Sequence, residues 1–169
     1  MEVQYRYLQL DEAQALWNMM NFLDNETKFM MYEPGERKEK AGNIDGIKRM
    51  IQGALSGDDF LLAAEYNHEI IGFLWAQRGK LNRVLHTAYI VIGIRERFRG
   101  MKIGAKLLKR LNQWAKEKNI TRLELSVVCS NERAKMLYEK EGFTIEGIRK
   151  NAMIIDGVYV DEYYMAKLL

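Results

Sequence analysis

The stretch from Leu85 to Val128 constrains the fold more than any other part of the chain. Leu85 to Ile94 is rich in β-branched residues and reads as a strand. Lys102 to Glu117 carries Ile103, Leu107, Leu108, Leu111, Trp114 and Ala115 at helical spacing, with Lys106, Lys109, Arg110 and Lys116 off that stripe. Leu123 to Val128 reads as a second strand. Short connections through one helix point to a β-α-β crossover with parallel strands. At its first junction stands Arg99-Gly100-Met101-Lys102-Ile103-Gly104. Glycines there let backbone approach a ligand closely. The first turn of the following helix presents unpaired N–H groups and the positive end of its dipole. Together these can cradle a pyrophosphate, and Arg99 and Lys102 add charge at that place. The spacing is neither Gly-x-Gly-x-x-Gly nor a Walker loop.

The flanking segments fill in the layers. Val3 to Leu8 reads as a first strand. Asp11 is placed to cap a helix through about Asn21, and Asn43 a second through about Leu55. Between them, Asn25 to Lys40 reads as a long loop with the only proline, Pro34. Phe60 to Tyr66 and Ile70 to Ala76 read as strands around the turn Asn67-His68-Glu69. Asn131 can cap a helix from Glu132 to Glu141 that ends at Gly142. Phe143 to Arg149 and Val158 to Leu169 read as strands, with Asp156-Gly157 as a turn pair between them. The order mixes hairpins with one crossover. The expected fold class is therefore α/β (α+β), one domain over residues 1–169, with a mixed, mostly antiparallel sheet of about seven strands and about four helices.

Composition excludes several classes. The net charge is +3, from 26 Lys and Arg against 23 Asp and Glu, too little to indicate nucleic acid. The densest basic run, Arg95 to Arg110, has Phe98 as its one aromatic, so base stacking is poorly supported. Cys129 is the only cysteine, which excludes an intrachain disulfide and a cysteine-rich zinc site; no metal is expected. No apolar run approaches the roughly 20 residues of a membrane helix. Met1 to Leu10 lacks a signal-peptide layout, so the cytoplasm is the default expectation.

A second constellation follows the glycine segment. Asn131 and Tyr138 lie seven residues apart, about two turns, and so share one helix face. Capping by Asn131 and packing by Tyr138 would explain both. Taken with the upstream loop, however, the two segments resemble the paired motifs of the GNAT acetyltransferase superfamily. Arg99 to Gly104 is similar to its Arg/Gln-x-x-Gly-x-Gly/Ala cofactor motif. Asn131, Ala134, Tyr138, Glu141, Gly142 and Phe143 are similar to the segment that follows it. The resemblance covers essentially the whole chain, most strongly Ile70 to Ile148. Lys102 stands where the family has its first motif glycine, which puts the local backbone angle at issue.

The resemblance implies a sheet splayed at the cofactor strand and acetyl-coenzyme A as donor. It implies cofactor contacts along Ile92, Gly93 and Ile94, then Arg99, Gly100, Met101, Lys102, Ile103, Gly104 and Ala105, with Asn131 on the pantetheine arm and Tyr138 near the sulfur. Tyr138 is the implied proton donor to the leaving thiolate. An alkyl ammonium of pKa about 10.4 is less than about a thousandth neutral at pH 7, so a base is needed. The candidates are Glu36, His86, Glu33 and Tyr89, in that order. Glu33, Met30, Met31 and Tyr89 are candidates to touch the acceptor. Cys129 as an acyl carrier is disfavoured, with no histidine near it in sequence.

The acceptor stays open among a protein N-terminus, a small amine such as a polyamine or aminoglycoside, and an amino acid or related metabolite. The resemblance also implies a homodimer, with the C-terminal strand as candidate interface. From other classes, a non-catalytic coenzyme-binding module and a nucleic-acid binder are the alternatives.

Overall fold

In the structure, a computed structural model, residues 2–41 and 43–169 are described. The chain runs β1 (Gln4–Arg6), α1 (Ala13–Glu26), α2 (Glu36–Lys40), α3 (Asp45–Leu55), β2 (Phe60–Tyr66), β3 (Glu69–Arg78), β4 (Thr87–Ile94), α4 (Ile103–Glu117), β5 (Arg122–Val128), α5 (Glu132–Lys140), β6 (Thr144–Ile155) and β7 (Val158–Leu168). The strands form one seven-stranded sheet in the order β1-β2-β3-β4-β5-β7-β6. Among the described residues only β4 and β5 pair in parallel. The mixed, mostly antiparallel α/β sheet expected from the sequence is what the chain forms, with four longer helices and one short one.

Strand side chains alternate between two cores, because successive Cβ atoms point to opposite faces. Phe60, Leu62, Ala88 and Ile90 face α4, whose Leu107, Leu108 and Leu111 are fully buried against them. Leu61, Ala63 and Phe73 face α1 and α3, where Leu16, Met20, Leu23 and Ile51 close the other core. A bulge keeps these faces in phase: Ala64 pairs with Gly72 and Glu65 with Ile70, so Ile71 is the extra residue of β3. Asn67 and His68 both take positive φ, 49° and 62°, the geometry a two-residue hairpin needs even without a glycine.

Several boundaries differ from the sequence reading. Asp11 does not cap α1. It sits in a short 3-10 turn, Leu10–Glu12, where the Glu12 carboxylate accepts the Gln9 N–H at 2.8 Å. Helix α1 continues past Asn21 to Glu26, and the Glu26 carboxylate holds Arg95 and the Glu96 N–H, each at 2.8 Å. The loop read from Asn25 to Lys40 contains the short helix α2. Strand β4 begins at Thr87 rather than Leu85, because Arg78 takes the Leu85 carbonyl at 2.8 Å and holds it outside the ladder. Strand β6 runs on to Ile155 across an irregularity between Arg149 and Met153. That irregularity wraps around Asp161, which accepts from Lys150 Nζ and the Asn151 N–H, each at 2.9 Å. The tip of this long hairpin is tied back by an ion pair between Asp156 and Lys28. No helix among the described residues is long and apolar enough to cross a membrane.

Candidate active site

The parallel pairing of β4 with β5 covers only Thr87–Tyr89 against Arg122–Glu124. Beyond Tyr89 the two strands part. The hydrogen-bond phase of β4 shows what this leaves open. The Thr87 carbonyl accepts from Gly79 on the β3 side, and the Arg95 N–H donates to Ile71 on that side. Odd-numbered residues of β4 therefore aim their backbone groups at β3. Even-numbered residues aim theirs at β5, as the His86 carbonyl does when it accepts from Arg122. The Ile90 N–H belongs to the last rung, Tyr89 against Glu124, so the Ile90 carbonyl and the backbone groups of Ile92 and Ile94 are what face a gap with no strand in it. The Ile94 carbonyl already accepts from Arg99 Nε at 3.1 Å; the other groups open on the gap.

The gap belongs to a cavity of about 900 Å³ that passes from one face of the sheet to the other. On the α4 face its wall contains Ile92, Ile94, Arg99, Gly100, Lys102, Ile103, Gly104, Ala105, Asn131 and Tyr138. Gly93 lines it too, and leaves room for α1: a Cβ there would stand 2.5 Å from Leu23 Cδ1. Met101 does not line the cavity and is exposed on the outer side of the turn. Gly100 and Lys102 both take positive φ, 83° and 61°. Lysine here keeps the left-handed turn that the family glycine would make freely, at a cost of about 1–2 kcal/mol for a residue with a Cβ. The turn aims the first residues of α4 into the cavity. Gly104 keeps that turn bare, since a Cβ there would meet Leu137 Cδ2 at 2.8 Å.

Asn131 has both roles anticipated for it open at once. Its Oδ1 accepts the Ala134 N–H at 3.3 Å and caps α5, which leaves its amide N–H groups for the cavity. Tyr138 is buried, with its ring edge-on to Phe143 at 5.9 Å between centroids. Burial, and secondarily the neighbouring phenol of Tyr89, push its pKa well above the usual value for tyrosine. It is a neutral hydroxyl at any physiological pH. Four cations, Arg99, Lys102, Arg133 and Lys140, lie on this half of the wall.

The α1 face of the cavity is different. Met20, Met30, Ile47, Met50, Phe73 and Trp75 make it apolar. Met31 lines its outer rim and is exposed. The Trp75 indole N–H is buried without a partner in this structure. Tyr89 and Ser126 close the mouth of the gap, with Tyr89 Oη 2.8 Å from Ser126 Oγ. Two charged groups that sequence reasoning missed also stand here. Arg37 is buried and held by Asp24 through Nε at 2.6 Å and Nη2 at 3.0 Å. Glu162 is 6% exposed and lines the cavity from β7. A single sequence carries no sign of burial for such residues, because most Arg and Glu side chains are solvated.

The structure does not bring three of the candidate bases to the cavity. His86 is exposed in the turn before β4, at the paired end of the strands. Glu36 opens α2 and spends its carboxylate on the Glu33 N–H at 3.0 Å, while Glu33 is exposed. Of the four, Tyr89 alone lines the wall. Cys129 lies outside it. Among the described residues no cluster of His, Cys, Asp or Glu could hold a metal ion.

A sheet split at a parallel pair, with a left-handed turn feeding a helix N-terminus, defines the acetyltransferase class. The model of the acetyltransferase (GNAT) family matches residues 17–143, and the chain belongs to that family. It is similar to the L-amino acid N-acetyltransferase AaaT of Escherichia coli (strain K12), with 27% identity over 135 residues that span 78% of this chain and 74% of the relative. A GNAT-family acetyltransferase from Streptococcus pneumoniae has the same fold, with a TM-score of 0.92 over 99% of this chain and 100% of that one, at 27% identity. The yncA protein of Salmonella typhimurium, solved with its cofactor acetyl-CoA, superimposes with a TM-score of 0.84 over 99% of this chain and 94% of its own, at 16% identity. The last likeness speaks for the fold alone.

Proposed function

We propose that the chain moves an acetyl group from acetyl-coenzyme A to a primary amine by direct transfer. The observation that carries this reading is the gap beyond Tyr89, where the even-numbered residues of β4 offer unpaired backbone groups to a cavity open on both faces. An extended amide-bearing arm fits such a gap as a missing strand would. Arg99, Lys102 and Arg133, the turn at Gly100, and the N–H groups of Ile103, Gly104 and Ala105 suit a pyrophosphate at a helix N-terminus. When bound, acetyl-coenzyme A supplies the acetyl group activated as a thioester.

The chain's own groups have separable tasks. The apolar half of the cavity holds the acceptor on the α1 face and keeps water from the gap. The Ile92 N–H, aimed into the gap, is our assignment for the donor to the oxygen on which charge develops; such a donor is worth about 10²–10³ in rate. Tyr138 keeps its proton through the physiological range and offers it to the departing sulfur as a hydrogen bond. Asn131 donates from its amide to the arm. Holding both reactants in one cavity adds a proximity effect that survives loss of any one of these groups.

The test is thiol release from acetyl-coenzyme A in the presence of a panel of amines, run beside Tyr138→Phe. Release that depends on the amine and falls in the variant supports the reading. Thermal stabilisation by acetyl-coenzyme A with no thiol released by any amine would favour a binding module instead.

A further inference from the structure

We infer that Glu162 is the residue that receives the amine, and that the acceptor is an amine on an apolar or aromatic body with no carboxylate beside it. The inference rests on the transfer reading above and names the substrate class for the same cavity.

The position of Glu162 follows from the register. It pairs with Val128 on β5, two residues beyond Ser126, which pairs with Tyr164. Cross-strand partners and alternate residues share a face. Met165 and Leu125, a pair of the opposite parity, lie in the α4-side core. Glu162, Val128, Ser126 and Tyr89 therefore stand on the α1 face, the acceptor side of the gap. The irregularity at Arg149–Met153 leaves Glu162 beside a bent segment of β6 and brings Met153 into the same cavity.

The charges on this wall decide what it can hold. Glu162 Oε2 accepts from Arg149 Nη1 at 3.3 Å, and that arginine is half exposed, outside the cavity. A nearly buried carboxylate with one long, solvent-screened ion pair is under-compensated, and an entering ammonium would complete it. Arg37 is the one cation on this wall among the described residues. Its charge is already met by the buried Asp24 at two points, and its guanidinium lies over the Tyr32 ring at 4.4 Å from the centroid. Little positive potential remains for a carboxylate on the acceptor. The remaining wall, from Met20, Met50, Phe73 and Trp75, suits an apolar body. The positive charges of the cavity are on the other face, where phosphates belong.

The proton balance is simple. The ammonium R–NH3+ gives one proton to the Glu162 carboxylate. The neutral nitrogen then forms a bond to the acyl carbon while the carbon–sulfur bond breaks. As the carbon–sulfur bond breaks, Tyr138 passes its proton to the leaving sulfur and is reprotonated by the second proton that nitrogen loses on forming the amide, while Glu162 returns the first proton to solvent.

The experiment uses the full chain with acetyl-coenzyme A and three probes: phenethylamine, phenylalaninamide and phenylalanine. Thiol release and calorimetric binding of each probe to the coenzyme A-loaded protein are measured for wild type, Glu162→Gln and Glu162→Asp. We expect the first two probes to exceed phenylalanine at least tenfold in kcat/KM. Glu162→Gln should lose about tenfold or more in amine binding and activity, at an unchanged melting temperature and unchanged acetyl-coenzyme A binding. Its residual rate should climb with pH, since only amine already neutral can react, and Glu162→Asp should recover part of the loss. Phenylalanine used as well as its amide would overturn the inference. So would a Glu162→Gln enzyme with wild-type binding and pH profile. Probe binding that depends on Glu162 without any thiol release would support the acceptor site and count against the transfer reading alone.

Discussion

The hydroxyls of Tyr89 and Ser126 meet at 2.8 Å across the point where β4 and β5 stop pairing. This contact replaces the ladder at the mouth of the gap. Tyr89 is 39% exposed, so deleting its hydroxyl should cost no more than about 1 kcal/mol of stability. Its ring lines the cavity on the side where we propose the acceptor binds. We therefore predict that Tyr89→Phe raises the KM for the amine several-fold and leaves acetyl-coenzyme A binding and the melting temperature nearly unchanged. Steady-state kinetics with either substrate varied will separate the two.

Lys102 combines a left-handed backbone with a charge on the α4-face wall of the cavity, where we propose the phosphates lie. Alanine removes the charge and keeps the strain, while glycine removes both. Relief of about 1–2 kcal/mol of strain is partly offset by the extra freedom of glycine in the unfolded chain. Lys102→Gly should therefore be more stable than Lys102→Ala by about 1 kcal/mol in denaturant unfolding. Both should bind coenzyme A more weakly than wild type, and to similar extents.

The Arg37–Asp24 pair is the costliest place to break. The Asp24 side chain is 1% exposed and that of Arg37 10%, and two hydrogen bonds join them. Removing either partner strands a buried charge, worth about 3–5 kcal/mol. Arg37→Met and Asp24→Asn should each lower stability by that order. The double variant should lose clearly less than the sum, as a double-mutant cycle of unfolding free energies will show.

The raised pKa of Tyr138 has a sign that alkaline unfolding can read. The unfolded phenol titrates near 10, whereas the folded one holds its proton to higher pH. Above pH 10 the unfolded state thus binds fewer protons, and stability falls by up to about 1.4 kcal/mol per pH unit from this residue. The contribution is fully present below pH 10 and is lost as pH rises toward the folded value. Tyr138→Phe should flatten this decline between pH 10 and 11 relative to wild type. The same residue should impose no ionisation on the rate profile below pH 10.

What the sequence made legible was what rests on local rules. The stripe of α4, the turn pair Asp156-Gly157 and the cap at Asn131 each follow from spacing or from one side chain, and all appear in place. Helix α1 outran its expected end because Asn21 and Asn25 bond back to the carbonyls of Trp17 and Asn21, at 2.8 and 2.7 Å, rather than stopping the helix. The end of β6 was hidden because Lys150 and Asn151 look like loop residues; they lie outside the paired register, in the irregularity after Arg149 that Asp161 holds together, and pairing resumes at Met153. The residues that line the α4-face half of the cavity were readable since one continuous segment and one helix face build it. Those of the α1-face half were not. Glu162, Arg37 and Trp75 come from three distant segments, and nothing local distinguishes them from ordinary surface or core residues.

The central claim is that the gap beside β4 takes the arm of acetyl-coenzyme A as a missing strand. Amide hydrogen exchange along β4, with and without acetyl-coenzyme A, tests it most directly. The odd-numbered amides at Tyr89, Val91 and Gly93 already face β3 and should change little. Those of Ile92 and Ile94, with those of Ile103, Gly104 and Ala105 at the helix N-terminus, should slow at least about tenfold on binding. Uniform slowing across both sets, or none at Ile92 and Ile94, would contradict the account.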